Sequence, residues 1–367
     1  MPTATLIVNK KGEFLDSVTL VSQVKGVVEH IFNYITGNLT DVTFEIYAAE
    51  DIKAADGVSE DHYKKDELVE TVTTDEMGIA KVENLPVGKY YVVEVGTAYG
   101  YVLDGEPRYV DLTYRDQDTP VVVYDEDWQN NRQRTVVSIL KKEKDSDRVL
   151  EGAIFGLYTK EDILSASGKV LIEADTVIEL KSTDAEGKIT FVADLPVDGK
   201  YYVKELEAPA GYVSSEQVLD VDFSYQGQEI DVVELTSEFL NQPTKVSITK
   251  VDTATGVELS GATLMVLDKD GEIVDSWKSV KGEAHVIRGL KVGETYTLRE
   301  ETAPYGYLRG EEVSFTVKDT EEIQKVEMKD DVPTGSILIN KKGEFLEKVS
   351  VFEQIGGWIS PVFEYLS

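Results

Sequence analysis

Three glutamates occupy strand positions where the pattern calls for an apolar side chain. In "YYVKELEAPAGY" (201–212) side chains alternate between two faces. Tyr201, Val203 and Glu205 therefore share one face, and Tyr202 and Lys204 the other. "KYYVVEVGTAYGY" (89–101) puts Glu94 in register with Tyr90 and Val92, and "TYTLREETAPYGY" (295–307) puts Glu300 in register with Tyr296 and Leu298. A Gly-Tyr pair follows each, with Tyr101, Tyr212 and Tyr307 seven residues past the glutamate. An unpaired charge among apolar side chains is costly. Three in one frame therefore mark a repeated domain that uses the carboxyl.

The same reading of the opening strands singles out a lysine in each repeat. Leu6, Val8 and Lys10 share a face, as do Val137, Ile139 and Lys141, and Val246, Ile248 and Lys250. One such lysine would read as a stem packed on the core with its amine snorkelling to water. Three in matching frames read as partners of the three glutamates. The closing strands add a third member: Asn130 lies two residues after Trp128, Asn241 two after Phe239, and Asp330 two after Met328. The doublets leave Asn131 and Asp331 as alternatives.

The elements that must position these residues are short strands. Runs rich in Val, Ile, Tyr and Thr recur between turn signals such as "TTDEMG", "STDAEG" and "DKDGE", and helical periodicity is mostly missing, so an all-β sandwich is expected. The runs align as internal repeats. "LTDVTFEIYAAEDI" (39–52) matches "LEGAIFGLYTKEDI" (150–163) and "LSGATLMVLDKDGEI" (259–273). The boundaries fall near 132 and 243, giving domains at 1–131, 132–242 and 243–332. Residues 336–366 align without gaps to 5–35, so 333–367 reads as the truncated start of a fourth repeat. Domain 1 carries about 20 extra residues after its opening strand, within 12–37. Leu15, Val18, Val21 and Val24 would suit a helix there, Val18 and Leu20 a strand; an extended β-type excursion is the expectation.

Bulk properties bound the function. A chain of 367 residues is too long for one ordinary β domain and fits three. Its net charge of −32 argues against nucleic acid or an anionic membrane as partner. It has no cysteine, so disulfides cannot supply stability. The start lacks the layout of a signal peptide, and no apolar run approaches membrane-spanning length. If the parent protein is exported and anchored, this chain is expected to be an internal piece of it. His30, His62 and His285 are scattered over different domains, no nucleophile or phosphate-loop motif occurs, and "DKDGE" (268–272) lacks the later ligands of a calcium loop. No cofactor, metal or multiple-turnover enzyme activity is expected.

"VSITKVDTATGVELSGA", "YYVKELEAPAGY" and "FLNQPTK" together resemble the B-type (Cna B-like) repeats of Gram-positive collagen adhesins and the SpaA-type pilin domains. That resemblance covers essentially the whole chain. It implies tandem prealbumin-like (inverse-Ig-type) β-sandwiches in which Lys and Asn or Asp join in an intramolecular isopeptide bond assisted by Glu. The implied triads are Lys10–Glu94–Asn130, Lys141–Glu205–Asn241 and Lys250–Glu300–Asp330. Domain 1 departs from the pattern, with Ala98 in place of the motif's Pro and Asp41 in place of Gly. The chemistry is sound: burial lowers a lysine's pKa and raises a carboxyl's, favouring a neutral amine nucleophile and a proton-carrying acid. Contact among the three groups supplies proximity. The resemblance implies a monomeric stalk segment of a cell-wall-anchored, secreted adhesin or pilus-like protein. Any host ligand would then be met by an adhesive region outside this segment. The competing reading is direct ligand binding through the domain-1 insertion, with Phe32 and Tyr34 as its candidate residues.

Overall fold

The computed structural model describes residues 2–23, 27–54 and 58–344. Strands form all the regular structure of these residues, arranged as tandem sandwiches. The first contains β1 (Thr3–Gln23), β2 (Val27–Asn38), β3 (Thr43–Ala48), β4 (Leu68–Thr73), β5 (Ile79–Pro86), β6 (Gly88–Gly96), β7 (Arg108–Leu112) and β8 (Val121–Gln129). The second contains β9 (Arg134–Glu143), β10 (Ile154–Thr159), β11 (Ile163–Leu164), β12 (Val170–Ile172), β13 (Val177–Ser182), β14 (Lys188–Phe191), β15 (Lys200–Glu207), β16 (Val218–Asp222) and β17 (Val232–Asn241). In the third are β18 (Lys245–Asp252), β19 (Thr263–Leu267), β20 (Ile273–Lys278), β21 (His285–Arg288), β22 (Thr295–Thr302), β23 (Val313–Thr316) and β24 (Gln324–Asp330).

The third sandwich pairs a three-stranded sheet, β21-β18-β24, with a four-stranded one, β20-β19-β22-β23, whereas β2 joins one layer of the first sandwich to one of the second in a single eight-stranded sheet. First and last strands lie side by side and parallel: β1 with β8, β9 with β17, β18 with β24. The inward faces carry the alternating apolar residues, such as Val246, Ile248, Leu264, Leu298 and Met328 in the third core. The "LxGA" turn needs a left-handed residue, met by Gly152 (φ 86°) and Gly261 (φ 95°). Domain 1 meets it with Asp41 (φ 59°), an acceptable substitute because a short polar side chain tolerates that region.

The insertion of domain 1 is a long antiparallel hairpin. β1 continues past Lys10 and pairs with β2 from Lys11↔Asn38 to Gln23↔Val27. This arm leaves its own sandwich and lies on the next one. Glu29 pairs with Glu179 on β13, extending the sheet of domain 2. Leu15 and Phe32 are buried in the core of domain 2, with Val18 and Tyr34 packed against it. Ile31 and Ile35, on the other face, are exposed, and so is Leu20, on the docking face but nearer the tip. The strand alternative is thus the one adopted, and the reason for the mixed pattern is that only one end of the arm has a core to face. Val24 lies outside the described residues.

The two domain junctions differ. Between domains 1 and 2, Arg132 is buried, lies 3.8 Å over the Tyr34 ring, pairs with Asp194 and donates to Leu195 O at 3.2 Å. Between domains 2 and 3, Thr244 N–H donates to Gly211 O at 2.9 Å and its hydroxyl to the same oxygen at 3.3 Å. Gly211 (φ 88°) approaches so closely that a Cβ there would fall 2.4 Å from Gly289 O. Residues 333–344 form no strand, and Ile337, Leu338 and Ile339 are exposed. The matching residues of domain 1, Leu6, Ile7 and Val8, pair with β5 and β8. The rest of the fourth-repeat segment lies outside the described residues.

Candidate functional site

Parallel pairing of first and last strands sets the register of the site. Lys10 lies opposite Trp128, Lys141 opposite Phe239 and Lys250 opposite Met328. The residue two further along the closing strand returns to the same face, which carries Asn130, Asn241 and Asp330 inward. The glutamates come from the opposing sheet, on β6, β15 and β22. All nine side chains are buried, none more than 9% exposed. Of the doublets, Asn131 and Asp331 are exposed.

In domain 2 the three groups close a triangle. Lys141 Nζ donates to Asn241 Oδ1 and lies 3.0 Å from Glu205 Oε1. Asn241 Nδ2 donates to both Glu205 oxygens, at 3.1 and 3.0 Å. Ser215 N–H caps Glu205 Oε2 at 2.8 Å. Domain 3 repeats this with an acid as acceptor: Lys250 Nζ contacts Asp330 Oδ1 and lies 3.2 Å from Glu300 Oε1, while Gly310 N–H caps Glu300 Oε2 at 2.7 Å. In domain 1, Lys10 Nζ meets Glu94 Oε2 at 2.6 Å, and Asn130 Nδ2 donates to Glu94 Oε1 and, at 2.7 Å, to Thr97 Oγ1.

The electrostatics favour acyl transfer. Burial depresses the pKa of Lys10 and of Lys141 below the ordinary lysine value, against the pull of Glu94 and Glu205 respectively. Burial likewise lifts Asp330 above the ordinary carboxyl value, with Lys250 opposing and Glu300 adding to the rise. A neutral amine can attack a carbonyl, and a protonated acid can lose water. Aromatic rings floor the first two sites, with Phe44 5.7 Å from Lys10 Nζ and Phe155 5.4 Å from Lys141 Nζ. Leu264 takes that place in domain 3, opposite Glu300.

Several supporting residues escaped the frame argument. Gly310 packs so tightly that a Cβ would lie 2.7 Å from Asp330 Oδ1 and 3.0 Å from Lys250 Nζ. The Gly-Tyr tyrosines reach back to the opening strand: Tyr101 OH donates to Glu13 O at 2.7 Å and Tyr212 OH to Glu143 Oε2 at 2.8 Å. Their fixed spacing from the glutamates was the available signal. Phe32 and Tyr34 are committed to the contact with domain 2, so the face on which the ligand-binding alternative rested is not free.

The model of the SpaA prealbumin-like fold domain matches three times, at residues 34–127, 135–236 and 244–332. The chain belongs to the SpaA prealbumin-like domain family. The first match begins after the opening strand, as a hairpin inserted between β1 and β3 would dictate. No curated protein matches the chain. Among solved structures, the Bacillus anthracis TIE protein is similar at 24% identity and a TM-score of 0.53, covering 90% of this chain and 51% of that one. The chain thus spans about half the length of that protein. BcpA, the major pilin subunit of Bacillus cereus, is matched at 14% identity and a TM-score of 0.42, over 90% of this chain and 99% of that one. The streptococcal ancillary pilin is matched at 22% identity and a TM-score of 0.28, over 89% and 98%. Among the described residues, no helix is long and apolar enough to cross a membrane.

Proposed function

We propose that the chain is a stalk segment of a cell-wall-anchored Gram-positive surface adhesin or pilus-like protein, stiffened by three autocatalytic isopeptide bonds. They join Lys10 to Asn130, Lys141 to Asn241 and Lys250 to Asp330, with Glu94, Glu205 and Glu300 as proton carriers. The observation that carries this reading is the buried cluster of amine, carboxyl and acyl acceptor found in three domains, with the amine on the acceptor oxygen in domains 2 and 3 and both groups held by Glu94 in domain 1. In domains 1 and 2 the amine attacks Cγ and ammonia leaves; in domain 3 water leaves. Each site reacts once, so the protein is not an enzyme in the multiple-turnover sense.

Tension explains the placement. A pull entering at Arg134 travels along β9 to Lys141, crosses the bond and leaves after Asn241, so the remaining strands carry no load. Lys141 and Asn241 are 100 residues apart. Without the bond that length would be released, roughly 330–360 Å of extended chain. Single-molecule pulling of the intact chain tests this. Domain 2 should contribute no such extension, and an Asn241→Ala variant should contribute one. Full extension of domain 2 in the unaltered chain would overturn the reading.

A further inference from the structure

We propose that closure of the domain-1 crosslink is conditional on domain 2, with Thr97 and Gln228 as the positioning residues that carry the condition. The inference rests on the isopeptide reading given above. Its starting point is a difference among the three sites. Glu205 and Glu300 are each capped by a loop amide of their own domain, Ser215 and Gly310. At the corresponding place domain 1 has Asp104, whose side chain turns to Arg108 at 2.5 Å. No such amide reaches Glu94 among the hydrogen bonds of the described residues. The loop is tied outward instead, with Leu103 N–H donating to Gln228 O in domain 2 at 2.9 Å.

The missing support is replaced from across the junction. Thr97 stands where domains 2 and 3 have Ala208 and Ala303. Its hydroxyl accepts from Asn130 Nδ2, and its own N–H is held by Gln228 Oε1 at 3.1 Å. Gln228 thereby fixes the second acceptor for the nitrogen that must leave as ammonia.

The other two reacting residues are gripped from the same side. Lys10 lies on β1, which runs on into the arm anchored by Leu15 and Phe32 in the core of domain 2. Asn130 is followed by Arg132, paired with Asp194, and by buried Gln133, which donates to Gly227 O at 3.1 Å and Ile230 O at 2.7 Å. The strands bearing Lys10 and Asn130 and the loop after Glu94 thus all end in contacts with domain 2. Among the described residues domain 2 itself receives no arm from domain 3, and Glu205 is capped from within.

The step balances within the site. Lys10 Nζ bonds to Asn130 Cγ, the Cγ–Nδ2 bond breaks, and Glu94 passes the amine proton to the departing nitrogen. Positioning of Nδ2 governs that last transfer, so loss of the Thr97–Gln228 link slows closure. Losing the positioning of one buried hydrogen bond corresponds to roughly a tenfold slower step.

The test follows newly synthesised full-length chain by proteolysis and mass spectrometry, scoring the Lys10–Asn130 peptide against the Lys141–Asn241 peptide in the same molecules. Gln228→Ala and Thr97→Val should each slow the first about tenfold and leave the second unchanged. Gln228→Glu, which keeps an acceptor oxygen, should restore the unaltered rate. Closure of domain 1 at the unaltered rate in both Gln228→Ala and Thr97→Val overturns the proposal. Absence of all three joined peptides from the unaltered chain would instead overturn the isopeptide reading beneath it.

Discussion

At the residue scale, what distinguishes a reacting site from a buried ion pair is which groups are indispensable to the sandwich. Glu205 makes its contacts to Lys141, Asn241 and Ser215 N–H, so Glu205→Ala should leave domain 2 folded and remove the joined Lys141–Asn241 peptide. Persistence of that peptide would refute the role given to the carboxyl. Gly310→Ala drives a methyl onto Asp330 and Lys250. It should cost domain 3 about 1–3 kcal/mol and block its bond, read by thermal unfolding and peptide mapping. An Asn241→Ala variant keeps Lys141 as a free amine, and its pKa is depressed by burial. The unfolded chain then holds the extra proton between the lowered folded value and the ordinary one near 10.5. Stability of domain 2 in that variant should therefore rise with pH through this window and stay flat below it. Denaturant titrations across alkaline pH measure the slope, and a fall with rising pH would be the wrong sign.

At the element scale, the frame of alternation made much of the site legible. Period two fixed which residues face the core, and that was enough to select Lys10, Lys141 and Lys250 together with their glutamates before any pairing was known. Choosing Asn130 over Asn131 was not possible this way, because the doublet sits at a strand end and the parallel register with β1 decides it. Thr97 and Gln228 were invisible for a related reason: their link spans 131 residues, and no local pattern encodes a contact between domains. The arm failed to show a clean period because only its base has a core to face, with Leu15 and Phe32 buried against domain 2 and Leu20 and Ile31 exposed toward the tip. That docking gives a prediction. Phe32→Ala, a change in domain 1, should destabilise domain 2 by about 3–5 kcal/mol, because the ring is buried in the second core. Hydrogen exchange of β13 and β10 would report it; protection lost only within residues 3–129 would contradict the docking.

At the scale of the whole molecule, three sandwiches of one family are joined by unequal junctions, one bridged by a hairpin arm and one by a close turn-to-turn contact. Tying first strand to last would restrict the unfolded chain of domain 2 by roughly 4–5 kcal/mol on the loop-closure model, and would do so without cysteine. The arm makes domains 1 and 2 a single packed unit, while domain 3 keeps its core to itself. The central claim is covalent, and intact mass under denaturing conditions tests it most directly. The account predicts a mass below that of the sequence by two ammonias and one water, one loss for each of the three triads. A mass equal to that of the sequence would contradict it.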